Sequence, residues 1–344
     1  MNPYSSLPSK NFWKHFKKKN FDLSFFIDEE TQSDFVTKKI ASAGSCFAAN
    51  VAVHLQSTST EYLFEEQKHP FIANIKDSYN YESYSARYGN IYSTRQLVQL
   101  IKRAKGTFIP DEIIWYNGNE LNDPFRPGIN FKNFTESEFY FDNKLHLEAV
   151  RRAVVRCDTF IFTLGLSEVW MNKKDKSVYP SCPGAIAGTF DPTKYELLNL
   201  TVNDISKDLQ EINDELQEIN PKVKFLITVS PVPMVATANL NNIVLSNQYS
   251  KSKLLVAAHE AVAANSNMYY FPSYEMIIGS HTENNFMDDK RNVKPEVVTN
   301  VMKIFKNQFN IIDTKTDKNE SKNSLSRYLN DECEEISYEK FTND

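Results

Sequence analysis

A thiol stands at Cys46 in the stretch ASAGSCFAANV (41–51), directly after a Gly-Ser pair. There a strand-like run, VTKKIASAG (36–44), gives way to the helix formers of CFAANVAVHLQ (46–56). A cysteine at the first turn of a helix has its thiolate favoured by the macrodipole and by the N–H groups of that turn, which is the setting of a nucleophile. Free cysteines are also among the residues most often buried, so these eleven residues alone leave a core role open beside the catalytic one. Ser230 in TVSPVP (228–233) ends a second apolar run, but Pro231 and Pro233 specify a rigid turn by themselves, and its expected duty is a substrate wall. Glu168 and Asp289 are carboxylates in separate motifs, too far apart in sequence for their spacing to define a glycosidase pair. Arg126 in DPFRP and Arg291 beside Asp289 can grip a carboxylate or phosphate with two parallel bonds, or form structural ion pairs. Among the histidines, His281 in GSHTENNF reads as a surface-loop residue that could act as a base, while His259 and His54 fall on predicted helices as structural or solvent-facing groups. Trp115, Trp170 and a Tyr-rich segment suit stacking on sugar rings and suit plain packing equally.

The elements that must position these groups alternate. After the first strand-turn-helix unit, residues 61–134 are rich in Tyr, Phe, Asn and Asp and read as insertions near a site, with TRQLVQLIKRA (94–104) as a helix. LHLEAVRRAVVR (145–156) predicts a helix and DTFIFTLGL (158–166) a buried strand, and Ile205, Leu209, Ile212 and Leu216 form a stripe at helical spacing. VKFLITVSP (223–231) is a second buried strand, followed by a helix over 250–264, a short strand over 268–273 and a last helix over 295–309. Strands that are apolar throughout and alternate with helices imply an α/β fold with a parallel sheet covered on both faces. In such a sheet ligands bind beyond the carboxyl ends of the strands, which is where GSC, TLGLSEVW and TVSPVP fall. Residues 1–35 read as an N-terminal arm, 36–310 as one domain, and 311–344 as a polar, loosely attached tail.

Composition excludes several roles. The chain has 344 residues, 41% hydrophobic and 24% charged, enough for a sizeable core, and its net charge of −5 disfavours nucleic acid as a partner. No apolar run approaches a membrane span and the basic N-terminus lacks an apolar signal core, so a cytoplasmic location is expected. Cys46, Cys157, Cys182 and Cys333 have no metal-ligand spacing and are too few for a disulfide framework, so no metal site and free thiols are expected.

Several motifs in order bear a resemblance: GSCFA (44–48), YGNIYS (88–93), TLGLSEVW (163–170), YPSCPG (179–184), TVSPVPMVATA (228–238), YSKSKL (249–254), YFPSYE (270–275) and DDKRNV (288–293). Together, over roughly residues 38–309, they resemble the GSCFA family, which looks like a branch of the SGNH (GDSL-type) hydrolases. The resemblance implies a flavodoxin-like three-layer α/β/α fold and esterase or acyltransferase chemistry on carbohydrates and lipids. Carried over by position, it puts Cys46 at the nucleophile and Ser45 at the aspartate of Gly-Asp-Ser. Gly89 becomes an oxyanion donor with the Cys46 N–H, Ser167 stands at the oxyanion asparagine, and Glu168 is a supporting group. Asp-x-x-His falls on Asp289-Lys290-Arg291-Asn292, so the expected histidine is Asn292, which cannot accept the thiol proton. The implied function is acyl transfer from a thioester donor, with an acyl carrier as partner, to a saccharide or other small hydroxyl substrate, in a setting such as bacterial surface-polysaccharide modification, with no bound cofactor. The alternatives are an acyl hydrolase and a non-catalytic glycan-binding protein.

Overall fold

The computed structural model describes residues 2–17, 23–27, 35, 37–56, 58–67, 81–129, 131–239, 241–314 and 334–341, apart from the side chains of residues 16, 17, 46, 334 and 335. The remainder, including Cys333 and most of the polar tail, lies outside the described residues. The chain runs β1 (Lys39–Gly44), α1 (Ala49–Leu55), β2 (Glu61–Tyr62), α2 (Thr94–Lys105), β3 (Trp115–Asn117), β4 (Glu120–Asn122), α3 (Glu136–Arg156), β5 (Thr159–Leu164), β6 (Glu168–Asn172), β7 (Val178–Tyr179), β8 (Tyr195–Asn199), α4 (Val202–Ile219), β9 (Lys224–Val229), α5 (Ile243–Ala264), β10 (Met268–Tyr270), α6 (Ser273–Ile277) and α7 (Pro295–Gln308). Short 3-10 turns fill the N-terminal arm, and another, Glu334–Phe341, lies in the tail.

Five strands form a parallel sheet in the order β10-β9-β5-β1-β2. Read from the β2 edge, this is the flavodoxin-like order in which the second strand lies outside the first and the remaining strands continue on its other side. The pleat divides each strand between two cores. Ala41, Ala43, Phe160, Phe162, Phe225 and Ile227 face α2, α3, α4 and α5, while Ile40, Ile161 and Leu226 face α1 and α7. That alternation within wholly buried strands produces the three α/β/α layers. The stripe on α4 (Ile205, Leu209, Ile212, Leu216) is completely buried, each side chain contributing on the order of 2 kcal/mol by removal from water.

Several helices begin earlier than apolar spacing suggests. α3 starts at Glu136 because Thr135 and Glu138 form a reciprocal capping box, and α5 starts at Ile243 because Asn242 caps it. A three-stranded antiparallel sheet, β7-β6-β8, was not foreseen: the end of TLGLSEVW continues as β6, paired with both β7 and β8. Arg126 is a structural ion-pair residue. Fully buried, it donates Nε to Asp123 at 2.7 Å and a terminal nitrogen to Asp142 at 2.9 Å. Arg87 joins Asp142 to Glu66, and His146 Nδ1 lies 2.8 Å from Glu66, so the insertion is tied to α3 by buried charges.

Two expectations follow. Gly44 has φ +151° at the end of β1, and a Cβ there would lie 2.7 Å from both Cβ and the carbonyl oxygen of Thr163. Gly44→Ala should therefore lower stability by about 1–3 kcal/mol, read as an earlier urea midpoint at unchanged slope. Burial works to raise the Glu66 carboxyl, but His146, Arg126 and Arg87 outweigh it and hold it at about 2, below its ordinary 4.5. A carboxyl depressed in the folded state stabilises the fold above its unfolded value, here by about 3 kcal/mol, and that contribution disappears as pH falls from about 4.5 toward 2. Thermal melts over this window should show a steep loss of Tm in the native chain and a flatter pH dependence in Glu66→Gln.

Candidate functional site

β1 and β5 are neighbours at the point where strand order reverses, and their carboxyl ends open the crevice where such sheets take ligands. Ser45 and Cys46 follow β1, and Cys46–Ala48 forms a 3-10 turn leading into α1. The backbone of Cys46 is thereby fixed at the start of a helical segment, and its side chain lies outside the described residues. Three loops close around it. Ile91 N–H donates to Gly44 O at 2.8 Å, and Tyr92 O accepts from both Gly165 N–H (2.8 Å) and Leu166 N–H (2.9 Å). Gly89 opens this loop at φ +67°, a left-handed conformation that suits glycine. A Cβ on Gly165 would sit 3.0 Å from Tyr92 O and 3.2 Å from the Ser45 Cβ, so the three loops touch because Gly165 lacks a side chain. The Tyr84 hydroxyl donates to Asn90 Oδ1 at 2.6 Å, and the buried Ser45 hydroxyl has no hydrogen-bond partner among the described residues.

The other expected residues divide. Ser230 N–H pairs with Leu164 O at 2.8 Å, and its buried hydroxyl accepts from Val232 N–H at 3.3 Å, so it shapes its own turn. Ser167 is fully buried: its N–H donates to Ser250 Oγ at 2.9 Å and its hydroxyl to Asn199 Oδ1 at 2.9 Å. Both of its donors are thus spent, which leaves nothing at Ser167 to offer an oxyanion. Glu168 turns from the strand edge into a cavity of about 620 Å³, where Thr237 Oγ1 donates to both of its oxygens (2.9 and 3.0 Å) and the Asn239 amide donates to Oε1. Trp170 and Phe190 line the same cavity, whereas Trp115 is buried against Tyr179 and Tyr195 as core. Leu166 and Met234, packed with Tyr92, form the cavity's inner end one residue beyond Gly165.

The DDKRNV loop joins this edge from the far side. Arg291 Nε donates to Pro233 O at 3.3 Å, and Val293 packs in the same apolar cluster as Phe47 and Val232. Within the loop Asp289 accepts from the N–H groups of Arg291 and Asn292 at 2.9 Å each, and from the Asn292 side-chain amide at 2.6 Å. Partial burial works to raise Asp289, and these hydrogen bonds prevail and keep it below its ordinary value. Asp289 therefore fixes both the backbone and the side chain of Asn292. The three histidines considered from sequence are engaged elsewhere: His281 against Trp13 and Phe26, His259 against Tyr270 and 3.8 Å from Glu275, and His54 on Asn50 O, with burial lowering its pKa.

Residues of YSKSKL supply contacts that sequence reasoning left without a role. Lys251, almost wholly buried, donates to Gly165 O at 2.7 Å, Ser250 receives Ser167 N–H, and Lys253 donates to Asn199 and Leu200 O. Buried polar residues spaced along one helix are the signal that could have marked this face of α5. Among the described residues no helix is long and apolar enough to cross a membrane, and no cluster of His, Cys, Asp or Glu could hold a metal ion.

No curated protein sequence matches the chain. The model of the GSCFA family matches residues 39–305, from the first residue of β1 into α7, and so takes in every loop gathered at the strand edge. The chain belongs to the GSCFA family.

Proposed function

We propose that the strand edge carries SGNH-like acyl-transfer chemistry with Cys46 as nucleophile. The observation that carries this reading is that Gly44-Ser45-Cys46, Gly89–Tyr92 and Gly165 meet at the switch point of the sheet, with the Asp289–Asn292 pair bound to the adjoining turn. In the reading, the Cys46 thiolate attacks the carbonyl of an acyl thioester, and the N–H groups of Cys46 and Gly89 receive the oxyanion. The donor's thiolate leaves and takes a proton, and the acyl group rests on Cys46. A hydroxyl of a saccharide or related acceptor then attacks the thioester, its proton passes to a base, and the Cys46 sulfur is released. Residue 292 is the place for that base, since an imidazole there would give its Nδ1–H to Asp289 and present Nε2. Asn292 has no basic nitrogen, so acylation proceeds on the ionised fraction of the thiol while deacylation is slow. A cytoplasmic enzyme supplied by an acyl carrier fits this scheme. Asn292 also favours a second reading, a glycan-binding protein without turnover.

Intact mass after incubation with acetyl and butyryl thioesters checks the reading. The native chain should accumulate an acyl adduct that Cys46→Ala abolishes, and Asn292→His should clear it faster by about 10²–10⁴. The described thiols will not confuse the assay, because burial raises Cys157 to about 12 and Cys182 to about 11. Absence of an adduct on both forms, with Cys46 also inert to alkylation below about pH 8, would overturn the nucleophile reading and leave the binding-protein reading standing.

A further inference from the structure

The cavity beside the strand edge has a wall from outside the family-matched residues. Its inner side is β6, the Pro180–Phe190 loop and Met234, all within residues 39–305. Its outer side includes Tyr338 and Phe341 of the tail. This segment is bound in place: the Tyr338 hydroxyl accepts from Cys182 N–H at 2.8 Å, and the Lys340 ammonium donates to Ala185 O while lying over the Phe341 ring. Aromatic side chains on the cavity remain open to solvent: Trp170 and Tyr338 are partly exposed, Phe190 is 43% exposed and Phe341 is 62% exposed. Trp170 and Phe190 meet at 80° with centroids 5.5 Å apart, which makes a flat platform with a perpendicular side wall.

Among the described residues that line it, Glu168 is the one carboxylic acid, set in an otherwise largely apolar surround. An ionised carboxylate has about four acceptor directions, and two donors reach it here, the single Thr237 hydroxyl proton shared between its oxygens and one Asn239 N–H. A ligand hydroxyl can take the remainder. An alkyl chain in the cavity would strip water from the carboxylate without replacing its hydrogen bonds, which costs free energy. A cationic ligand would find the charge already faced by Lys253, whose ammonium is attracted to Glu168 from within the protein. A neutral ring with apolar faces and equatorial hydroxyls satisfies both the aromatic platform and the carboxylate.

We infer that this cavity binds a pyranoside, stacked in the Trp170–Phe190 corner with a hydroxyl on Glu168, and that Tyr338 and Phe341 of the C-terminal segment are specificity-determining residues closing its outer side. The inference rests on the acyl-transfer reading only in naming the saccharide as the acceptor. Binding itself needs no turnover.

Saturation-transfer NMR on the full chain tests it, with the methyl pyranosides of glucose, galactose, mannose and N-acetylglucosamine as probes and with hexanoate and ethylammonium as apolar and cationic controls. At least one pyranoside should receive saturation, and its affinity should fall by about tenfold or more in Phe190→Ala, Glu168→Gln and Phe341→Ala. Phe341 is mostly exposed, so its replacement leaves the core intact, and Glu168→Gln preserves size. No pyranoside binding, preferential binding of either control, or pyranoside binding that all three variants leave unchanged would overturn the site. Native affinity in both Tyr338→Ala and Phe341→Ala would overturn the role of the C-terminal segment. Pyranoside binding with no acyl adduct on Cys46 would refute the transferase reading and leave the cavity assignment standing. An adduct with no pyranoside binding would do the reverse.

Discussion

At the carboxyl ends of β1 and β5 the sheet leaves no room for a side chain on Gly44, since the nearest atoms of Thr163 lie only 2.7 Å from where its Cβ would be. The loop arrangement follows from that approach. With the strands this close, the Gly44 carbonyl is within reach of Ile91 N–H, and the Tyr92 carbonyl can bridge two successive N–H groups after β5. Gly165 repeats the constraint one strand over, where its missing Cβ admits both Tyr92 O and the Ser45 side chain. The backbone groups of three loops are thereby satisfied by one another, a condition for burying irregular chain. Segments distant in sequence acquire fixed relative positions without a ligand to hold them.

The layers were legible because burial on both faces leaves a direct mark. TFIFTL and KFLITV are mostly apolar and interrupted only by threonines and the leading Lys224, and Ile205, Leu209, Ile212 and Leu216 recur at helical spacing. The start of α3 was hidden because ESEFYFDNK has no apolar stripe, although Thr135 and Glu138 at capping-box spacing announced it. The antiparallel sheet escaped for a different reason: EVWMN and YELLN are short strands of mixed burial, and their pairing depends on contacts across some thirty residues that no local period encodes. At the candidate site the Gly and Pro turns were visible, whereas the partners of Ser167 and Ser230 were not, because hydrogen bonds to Ser250, Asn199 and Val232 exist only once the chain has folded. The cavity was invisible for the same reason, being built from β6, the 180–190 loop, residues 234–238 and the tail.

Around this edge the protein buries charge as well as apolar surface. Lys251 and Lys253 enter from α5 and end on backbone carbonyls, while Arg87, Arg126, Asp123, Asp142 and Glu66 interlock between the insertion and α3. Such groups gain little stability over apolar replacements, but each requires its partner, so a displaced segment would leave a charge without compensation. The insertion and α5 are thus held to one geometry more strictly than greasy contacts alone would hold them.

The Asp289 loop has a different kind of consequence. Two of its three hydrogen bonds come from main-chain N–H groups, and the third is given by an amide that mimics one edge of an imidazole. The two main-chain bonds ask nothing of the side chain at residue 292, and only the third reads its chemistry. Asp289 thus specifies the path of the loop through its neighbours' backbone, while the identity of residue 292 is registered by a single hydrogen bond.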